Sequence, residues 1–246
     1  VSEVNLFKII GKKMQLAKPL LKGKLIKRYK RFLADVELEN GEVTTVHCAN
    51  SGGLYGVTTP GLTVWLSESD NPARKLKYTW EMVELDGTII GVNTSWPNAL
   101  VEEAIQQQLI MELLDYTFLK REVKYGASSR LDILLQDPGK EDCFVEIKNV
   151  HMCREPFLAE FPDGVTARGT KHLAEMMSVV QEGKRAVMLY IIQRQDCQRL
   201  KFAADIDPVY AQTALKAREQ GVEFYAYYCD VNPDGIMIKS ALPVLF

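Results

Sequence analysis

The stretch that decides the fold of this chain is RLDILLQDPGKEDCFVEIKNV, residues 130–150. It contains two apolar runs of strand length, at 130–136 and 143–150, on either side of a turn sequence that is rich in Asp, Pro and Gly. Two strands of this length joined by a short turn normally pair as an antiparallel hairpin. We therefore predict a β-hairpin at the centre of the second half of the chain.

The elements around this hairpin predict an α/β domain. Residues 96–109 carry apolar side chains at helical spacing, Ser95 is a suitable N-cap, and Pro97 suits the first turn. The run AVMLYII at 186–192 is continuously apolar, which is typical of a strand covered on both faces. The other predicted elements are a strand at 117–125, a helix at 166–182, a helix between Asp207 and Gly221, and a strand at 223–229. The predicted order is α-β-β-β-α-β-α-β.

The first part of the chain predicts a small β-barrel. Five strand-like runs lie between residues 22 and 94, and the turn sequence Asp86-Gly87 between two of them is a strong hairpin signal. The runs are KLIKRYKRFLADVEL at 24–38 and residues 43–48, 62–67, 78–85 and 88–93. Five short strands fit an OB-like barrel, which removes free sheet edges. Periodicity alone leaves an SH3-like barrel open.

These patterns divide the 246 residues into an N-terminal extension at 1–21, an OB-like barrel domain at 22–94 and an α/β domain at 95–246. A chain of this length is sufficient for two domains. Because the sequence does not open with Met, we expect Met14 to be the natural start and residues 1–13 to be an added segment.

Charge and composition narrow the class of partner. The net charge is −2, but residues 1–95 carry 13 Lys and Arg against 10 Asp and Glu, whereas residues 96–246 carry 17 against 22. An anionic partner should therefore meet the N-terminal part first.

No apolar run has the length of a membrane span, so no membrane association is expected. The five cysteines include no CxxC pair, which indicates neither disulfides nor a zinc site and predicts a cytoplasmic protein.

The hairpin carries the residues that we predict to be catalytic. Side chains alternate between the faces of a strand, so Glu146 and Lys148 share one face, and the hairpin would bring Asp132 beside Glu146. Two carboxylates at one edge of a sheet suit Mg²⁺ or Mn²⁺, with water and phosphate as further ligands. A neighbouring lysine can orient an attacking water or stabilise negative charge on a phosphate. This combination is what phosphodiester hydrolysis requires.

Residues on the predicted helices would complete such a site. Glu103 is our candidate for a third metal ligand, because its helix leads directly into the strands, and Glu112 is the alternative. On the later helix, Arg168 and Lys171 near the N-terminus would suit phosphate, with help from free backbone N–H groups. His172 is adjacent to Lys171, but a structural role is the simpler interpretation of this histidine.

A basic, aromatic segment in the barrel is our candidate surface for nucleic acid. Alternation along a strand would direct some cations to phosphates while an aromatic ring stacks on a base. The alternative is an edge strand whose charges prevent aggregation. The candidate residues are Lys27, Arg28, Tyr29, Lys30, Arg31 and Phe32.

The order of elements from 97 to 192 resembles the core of the PD-(D/E)xK nucleases, which is αβββαβ with the acidic residues on the second and third strands. Asp132, Glu146 and Lys148 lie at the corresponding places. Leu131 stands where the name of the motif has Pro. This resemblance implies metal-dependent cleavage of nucleic acid.

Several strings together resemble the bacterial sugar fermentation stimulation protein A family. They are RYKRFLADVEL, HCANSGG, TPG, EVKYG, SRLD, VEIKNV and FPDGVTARGTKHL, and they occur in this order from residue 28 to residue 173. The resemblance implies a DNA-binding protein linked to the regulation of sugar (maltose) metabolism genes, with an OB-like domain followed by a nuclease-like domain. It places residues 28–32 on the OB-like domain and Asp132, Glu146 and Lys148 in the nuclease-type site.

Three hypotheses follow. The chain is a DNA-binding protein that retains Mg²⁺-dependent cleavage, or a DNA-binding regulator whose acidic site is vestigial, or a protein that does not bind nucleic acid and whose charged groups are solvated surface. The intact set of Asp132, Glu146 and Lys148 favours the first hypothesis. The sequence leaves open whether the protein forms a homo-oligomer.

Overall fold

The computed structural model of the chain describes residues 14–15, 19–125 and 129–246. The expectation that residues 1–13 are an added segment lies outside this part. The first seven strands are β1 (Met14–Gln15), β2 (Leu21–Tyr29), β3 (Leu33–Leu38), β4 (Val43–Cys48), β5 (Thr63–Glu68), β6 (Tyr78–Leu85) and β7 (Thr88–Gly91).

The N-terminal domain is a closed five-stranded barrel, as predicted. Its strands follow the order β4-β3-β2-β5-β6, and parallel pairing of β4 with β6 closes the ring. Strand β7 pairs with β6 outside the ring. The alternation in β2 explains its orientation, because Leu25 is buried in the barrel while Lys24 is exposed. Trp80 lies fully buried in the centre of this core.

The first predicted strand is wrong in one respect, because the segment KLIKRYKRFLADVEL forms two strands. Strands β2 and β3 pair as an antiparallel hairpin around a turn in which Lys30 has φ 49° and Arg31 has φ 61°. Such turns usually carry Gly, Asn or Asp, and because this one has none, no turn signal separates the two strands in the sequence. The Asp86-Gly87 hairpin forms as predicted, with φ values of 50° and 78°.

The second domain contains all three α-helices of the described residues. Strand β7 ends at Gly91 and the first helix begins at Trp96, so the predicted boundary at 94–95 falls in the connection. The elements are α1 (Trp96–Gln106), a 3-10 turn (Met111–Leu113), β8 (Phe118–Tyr125), β9 (Ser129–Gln136), β10 (Cys143–Val150), β11 (Met152–Glu155), β12 (Leu158–Phe161), α2 (Ala167–Gln181), β13 (Arg185–Ile192), β14 (Arg199–Phe202), α3 (Pro208–Glu219), β15 (Glu223–Asn232), β16 (Gly235–Leu242) and β17 (Val244–Leu245).

A mixed seven-stranded sheet forms the centre of this domain, in the order β1-β16-β15-β13-β10-β9-β8. Strands β10, β13 and β15 run parallel, while β9 and β10 form the predicted antiparallel hairpin. Helix α1 packs on one face of the sheet, and α2 and α3 pack on the other. Alternate residues of β13 go to opposite faces, which explains why this strand is apolar throughout.

The predicted order omits six short or terminal strands. Strands β11, β12, β14 and β17 form a separate four-stranded sheet, and β16 and β1 extend the main sheet at one edge. Strand β1 lies in the segment predicted to be an extension, yet it pairs with Gly235 and Ile236 of the second domain. Five of these six strands have only two to four residues, which is too short to show a periodicity in the sequence. The sixth, β16, has eight residues and was also missed.

The two domains share part of their core. Trp65 and Met82 of the barrel pack in the same apolar cluster as α1 and one face of the main sheet. The backbone N–H of Gly91 donates to the carbonyl of Gln193 at 2.8 Å, and the Gln193 side-chain amide donates to the carbonyl of Asn93 at 3.1 Å. These contacts fix the barrel against the edge of the sheet at which β10 and β13 end.

Candidate functional site

The structure brings Asp132 and Glu146 together at the end of the β9–β10 hairpin. Val145 pairs with Ile133 in this hairpin, so the two acidic residues lie one position beyond the last paired residues. The backbone N–H of Ile147 donates to Oδ2 of Asp132 at 2.8 Å, which anchors this carboxylate on the neighbouring strand. The side-chain amide of Asn98 donates to Oδ1 at 2.9 Å.

Lys148 lies on the same face of β10 as Glu146, as the alternation of strand residues predicts. Its ammonium nitrogen is 2.7 Å from Oε1 of Glu146, and both side chains are largely buried. A buried ion pair is stable only when further hydrogen bonds satisfy its remaining groups. In this structure the further partner of Glu146 is a residue from α2.

That partner is His172, for which a structural role was the simpler interpretation of the sequence. Its Nδ1 atom contacts Oε1 of Glu146 and lies 3.2 Å from Nζ of Lys148, while Nε of Arg168 donates to its Nε2 atom at 3.3 Å. Because Nε2 accepts a hydrogen bond, the ring proton belongs on Nδ1, which then donates to Glu146. His172 therefore holds the Glu146 carboxylate on one side and Arg168 on the other.

The pKa values of the two acids shift in opposite directions. Burial raises the pKa of Asp132, and the negative charge of Glu146 raises it further, against the hydrogen bonds from Ile147 and Asn98. Burial would also raise the pKa of Glu146, but its hydrogen bond with His172 and the charge of Lys148 outweigh burial and lower it. Two neighbouring carboxylates whose pKa values are driven apart are typical of a functional site.

These residues line a cleft of about 490 Å³. The sheet forms its floor, α1 and α2 form its sides, and Ser51 reaches it from the barrel. Its lining consists of Ser51, Thr94, Ser95, Pro97, Asn98, Arg121, Glu122, Asp132, Glu146, Ile147, Lys148, Asn149, Arg168 and His172. The predicted catalytic residues Asp132, Glu146 and Lys148 thus share one cleft to which both domains contribute.

Glu146 has an oxygen that a bound cation would satisfy. Its Oε2 atom is buried and has no hydrogen-bond partner in the described part of the chain. Such an atom is costly to leave without a partner. The adjacent Asp132 supplies a second carboxylate, and this pair fits a hard cation such as Mg²⁺ or Mn²⁺. Within residues 14–15, 19–125 and 129–246, no group of three or more His, Cys, Asp or Glu side chains could hold a metal ion, so water and phosphate would have to supply the remaining ligands.

The position of Glu103 does not support its predicted role as a third metal ligand. Glu103 does not line the cleft, and the side chain of α1 that reaches Asp132 belongs to Asn98. Asn98 lies in the first turn of the helix, and Glu103 is five residues further along, which is about 140° round the helix axis. The alternative, Glu112, lies in the 3-10 turn and accepts a hydrogen bond from the hydroxyl of Tyr227.

Arg28 holds a loop of the barrel in place. Its guanidinium donates to the carbonyls of Asn50 and Gly52 at 2.9 Å and to that of Gly53 at 3.4 Å. The Asn50–Gly53 loop, in which the sequence showed only a turn, is the part of the barrel that reaches the cleft. Arg28 therefore positions the loop, and the sequence could not show this because its partners are backbone atoms distant along the chain.

The other residues of the basic segment divide between internal contacts and exposed positions. Lys27 pairs with Asp35 at 3.5 Å, and the hydroxyl of Tyr29 donates to the same carboxylate at 3.0 Å. Lys30 and Phe32 are exposed at the β2–β3 turn. Arg31 is also exposed and lines a cavity between the domains. Lys27 is also exposed despite its ion pair, so the accessible part of this segment consists of Lys27 and the tip of the hairpin.

Arg168 and Lys171 occupy different surroundings at the start of α2. Arg168 lines the cleft and contacts His172, whereas Lys171 lies 3.6 Å from Glu175 on the same helix and does not line the cleft. The side-chain oxygen of Thr166 accepts from the N–H of Gly169 and caps the helix. Of the two predicted phosphate-binding residues, Arg168 is the one that faces the acidic pair.

Two family models match almost the whole of both domains. One, described as the N-terminal OB domain of the sugar fermentation stimulation protein, matches residues 26–92, and the other, described as its RE domain, matches residues 95–235. A curated relative in Maricaulis maris, named a sugar fermentation stimulation protein homolog, is 55% identical over 94% of this chain and 98% of its own.

This chain belongs to the sugar fermentation stimulation protein family. A second member, from Allorhizobium ampelinum, is 53% identical over 92% of this chain and 96% of its own. The solved structure of the family member from Pyrococcus furiosus, in complex with Ca²⁺, has a TM-score of 0.87 and 27% identity and covers 96% of this chain and 99% of that one.

The family match confirms the predicted fold, an OB barrel followed by a nuclease-like α/β domain, and removes the SH3-like alternative. None of the helices in the described part of the chain has the length and apolar character of a transmembrane segment.

Proposed function

We propose that this protein binds DNA and hydrolyses its phosphodiester bonds with the aid of a divalent cation, at the cleft that contains Asp132, Glu146 and Lys148. The observation that carries the proposal is the convergence of two carboxylates and a lysine from neighbouring strands in one cleft. These are the parts that metal-assisted phosphoryl transfer requires.

Asp132 and Glu146 are the residues that would hold the cation. A bound Mg²⁺ or Mn²⁺ would neutralise charge on the phosphate and lower the pKa of a coordinated water. The unpartnered oxygen of Glu146 supports this assignment, and so does the Ca²⁺ complex of the family member from Pyrococcus furiosus. The hydrogen bonds from Ile147 and Asn98 fix the orientation of the Asp132 carboxylate before any ligand enters.

The basic side chains of the cleft would act on the attacking water and on the phosphate. The ammonium group of Lys148 lies next to Glu146, where it can orient the attacking water and stabilise negative charge on a phosphate oxygen in the transition state. His172 fixes the geometry of this pair through its contact with Glu146. Arg168 lines the same cleft at the start of α2, where a phosphate of the substrate would meet both a guanidinium and the positive end of the helix.

The barrel supports DNA as the substrate. Ser51 of the OB domain lines the cleft of the second domain, and Arg31 of the exposed basic hairpin tip lines the adjoining cavity between the domains. OB barrels commonly bind nucleic acid through a basic groove and aromatic side chains. Contacts of this kind with phosphates give affinity that depends on salt and not on base sequence.

The test is cleavage of DNA by isosteric variants. Asp132→Asn and Glu146→Gln should each lower the Mg²⁺-dependent rate at least about 100-fold while changing DNA affinity little, because each removes one charge without changing shape. Glu103→Gln, a change on α1 outside the cleft, is the matched control and should retain wild-type activity. Cleavage at the wild-type rate by both site variants would disprove the assignment.

A second candidate is a DNA-binding regulator of sugar (maltose) metabolism genes whose site does not cut. The contacts of Glu146 with Lys148 and His172 favour it, because they compensate the carboxylate charge without a cation. Calorimetry with Mg²⁺ and Mn²⁺ separates the two: saturable binding that Asp132→Asn abolishes supports the nuclease, and no binding supports the regulator. For either function, we propose a cytoplasmic protein.

A further inference from the structure

A second cavity, of about 650 Å³, lies between the two domains beside the catalytic cleft. On one side are the β2–β3 turn and the Asn50–Tyr55 segment of the barrel, and on the other is the connection between β12 and α2. Ser51, Thr94 and Asn149 line both this cavity and the cleft. The two spaces therefore adjoin each other across these residues.

The two walls of the cavity are held together tightly. The loop that contains Gly52 sits so close to Asp163 that a Cβ atom on Gly52 would lie 2.3 Å from Oδ2 of that residue. The backbone N–H of Leu54 donates to the same oxygen at 3.2 Å. A contact this close requires glycine, and it makes the cavity a preformed feature of the folded protein.

The charge of the cavity favours an anionic ligand. Arg31 lines it with an exposed side chain, whereas the acidic residue in the lining, Asp163, already interacts with the Leu54 N–H and lies 3.2 Å from His151. Asp163 is therefore already hydrogen-bonded within the protein. A phosphate in the cavity would meet the Arg31 guanidinium, and Asp163 is the single carboxylate in the described lining.

An aromatic ring is available in the same place. Tyr55 lines the cavity and is 52% exposed, so its ring is accessible to a ligand. Phe161 also lines the cavity, but its ring packs edge-on against Tyr190 and Tyr210 and so belongs to the floor. A cationic side chain with an accessible aromatic ring is the combination that binds unpaired nucleotides through phosphate contact and stacking.

We propose that the interdomain cavity binds unpaired nucleotides of a DNA strand, so that the adjoining phosphodiester group of the same strand enters the catalytic cleft. This inference rests on the proposed function and specifies its substrate as DNA with a single-stranded segment. Arg31 contacts a phosphate, and Tyr55 stacks on a base.

The size of the cavity favours unpaired nucleotides over base-paired duplex DNA. A space of about 650 Å³ is in the range of pockets that enclose one small molecule, so it accommodates a base with its sugar and phosphate but not a base-paired duplex. A base must leave its stack to enter such a pocket, and this costs least when the base is already single-stranded. Duplex DNA without ends or unpaired bases would contact the exposed rim only.

The proposal is tested by DNA affinity, measured by fluorescence anisotropy in EDTA so that nothing is cut. The variants are Tyr55→Leu and Arg31→Gln, and their matched controls are Phe118→Leu, another exposed aromatic residue, and Arg199→Gln, an exposed arginine on β14. Each cavity variant should bind a short single-stranded oligonucleotide about tenfold more weakly than wild type. Tyr55→Leu should leave the affinity for a covalently closed duplex circle unchanged, whereas Arg31→Gln should lower that affinity less than it lowers the affinity for the single strand. The melting temperatures of both variants should stay unchanged, and the controls should match wild type throughout.

A cross-linking experiment on the unmodified protein provides a second readout. A single-stranded oligonucleotide with a halogenated pyrimidine should cross-link to Tyr55 on irradiation, and peptide mapping should locate the adduct in the Asn50–Val57 segment. An adduct elsewhere, or equal loss of single-strand and duplex affinity in the cavity variants, would overturn the proposal while leaving DNA binding and cleavage intact. If the wild-type protein binds no DNA at all, the proposed function itself fails.

Discussion

Asp163 shows how one carboxylate can join two domains. It lies in the connection between β12 and α2, yet it accepts a hydrogen bond from Leu54 of the barrel and lies 3.2 Å from His151 of its own domain. Burial would raise the pKa of this group, but the hydrogen bond with His151 and the Leu54 N–H outweigh burial and lower it. The folded protein therefore favours the ionised form of Asp163.

The lowered pKa predicts a pH-dependent loss of stability at this residue. The unfolded carboxyl has a pKa of about 3.9, so its ionised form stabilises the fold above that pH, and the contribution disappears as the pH falls through the lower, folded-state value. Asp163→Asn should lower the free energy of unfolding by about 1–2 kcal/mol at pH 6. The difference from wild type should shrink below about pH 4.

Urea denaturation of both proteins between pH 3 and pH 6 measures this difference. Asp137→Asn, in the exposed turn between β9 and β10, is the control and should show little effect at any pH in the range. A stability difference that does not depend on pH would mean that Asp163 acts through its shape and not through its charge.

The contact of His172 with Glu146 could not be predicted from the pattern of residues in the sequence. Asp132, Glu146 and Lys148 could be predicted because all three lie on two adjacent strands, where alternation decides the face of each residue. His172 comes from α2, and its position against Glu146 depends on how that helix packs on the sheet. The position of Glu103 outside the cleft could not be predicted for the same reason, because the sequence does not determine the rotation of α1 over the site.

At the scale of elements, helix α2 contributes Arg168 and His172 to the cleft. Two hydrogen bonds of Thr166 hold the first turn of this helix in place. The side chain of Thr166 accepts from the N–H of Gly169 at 3.0 Å, and the N–H of Thr166 donates to Asp207, which also caps α3. This arrangement links the N-termini of both helices on one face of the sheet. Arg168 lies in the capped turn and His172 in the turn that follows.

Removing the cap should therefore affect both stability and the site. Thr166→Ala should lower the free energy of unfolding by about 1 kcal/mol, because one helix N–H loses its acceptor. The same change at Thr170, whose hydroxyl donates to a backbone carbonyl within the helix, should cost less than about 0.5 kcal/mol. Thermal unfolding followed by circular dichroism measures both, and equal losses would show that Thr166 does not act as a cap.

At the scale of the whole molecule, the shared core should make the two domains unfold together. Trp65 and Met82 of the barrel pack into the core of the second domain, and Gly91 and Gln193 join the domains by hydrogen bonds. Tryptophan fluorescence reports largely on the barrel, which holds Trp65 and Trp80, whereas far-ultraviolet circular dichroism reports on helices that lie in the second domain.

We expect urea titrations followed by these two signals to coincide in midpoint and slope, as they do for one cooperative unit. Gly91→Ala, which would bring a Cβ atom within 2.4 Å of the Gln193 side chain, should lower the common midpoint. Gly139→Ala, in the open β9–β10 turn, serves as the control and should leave it nearly unchanged. Two separated transitions in the wild-type protein would show that the domains are independent.

The amino-acid sequence by itself determined the barrel, the central hairpin, the order of the long elements and the placement of Asp132, Glu146 and Lys148 on one side of two strands. These features follow from periodicity, turn residues and strand alternation, which act over a few positions of the chain. Only the tertiary structure decided that Asn98 and His172 complete the cleft, that Glu103 stays outside it and that Arg28 braces a loop of the barrel. The reason is physical: these contacts depend on how whole elements pack across distances of 22 residues or more along the chain, and no local pattern specifies that packing.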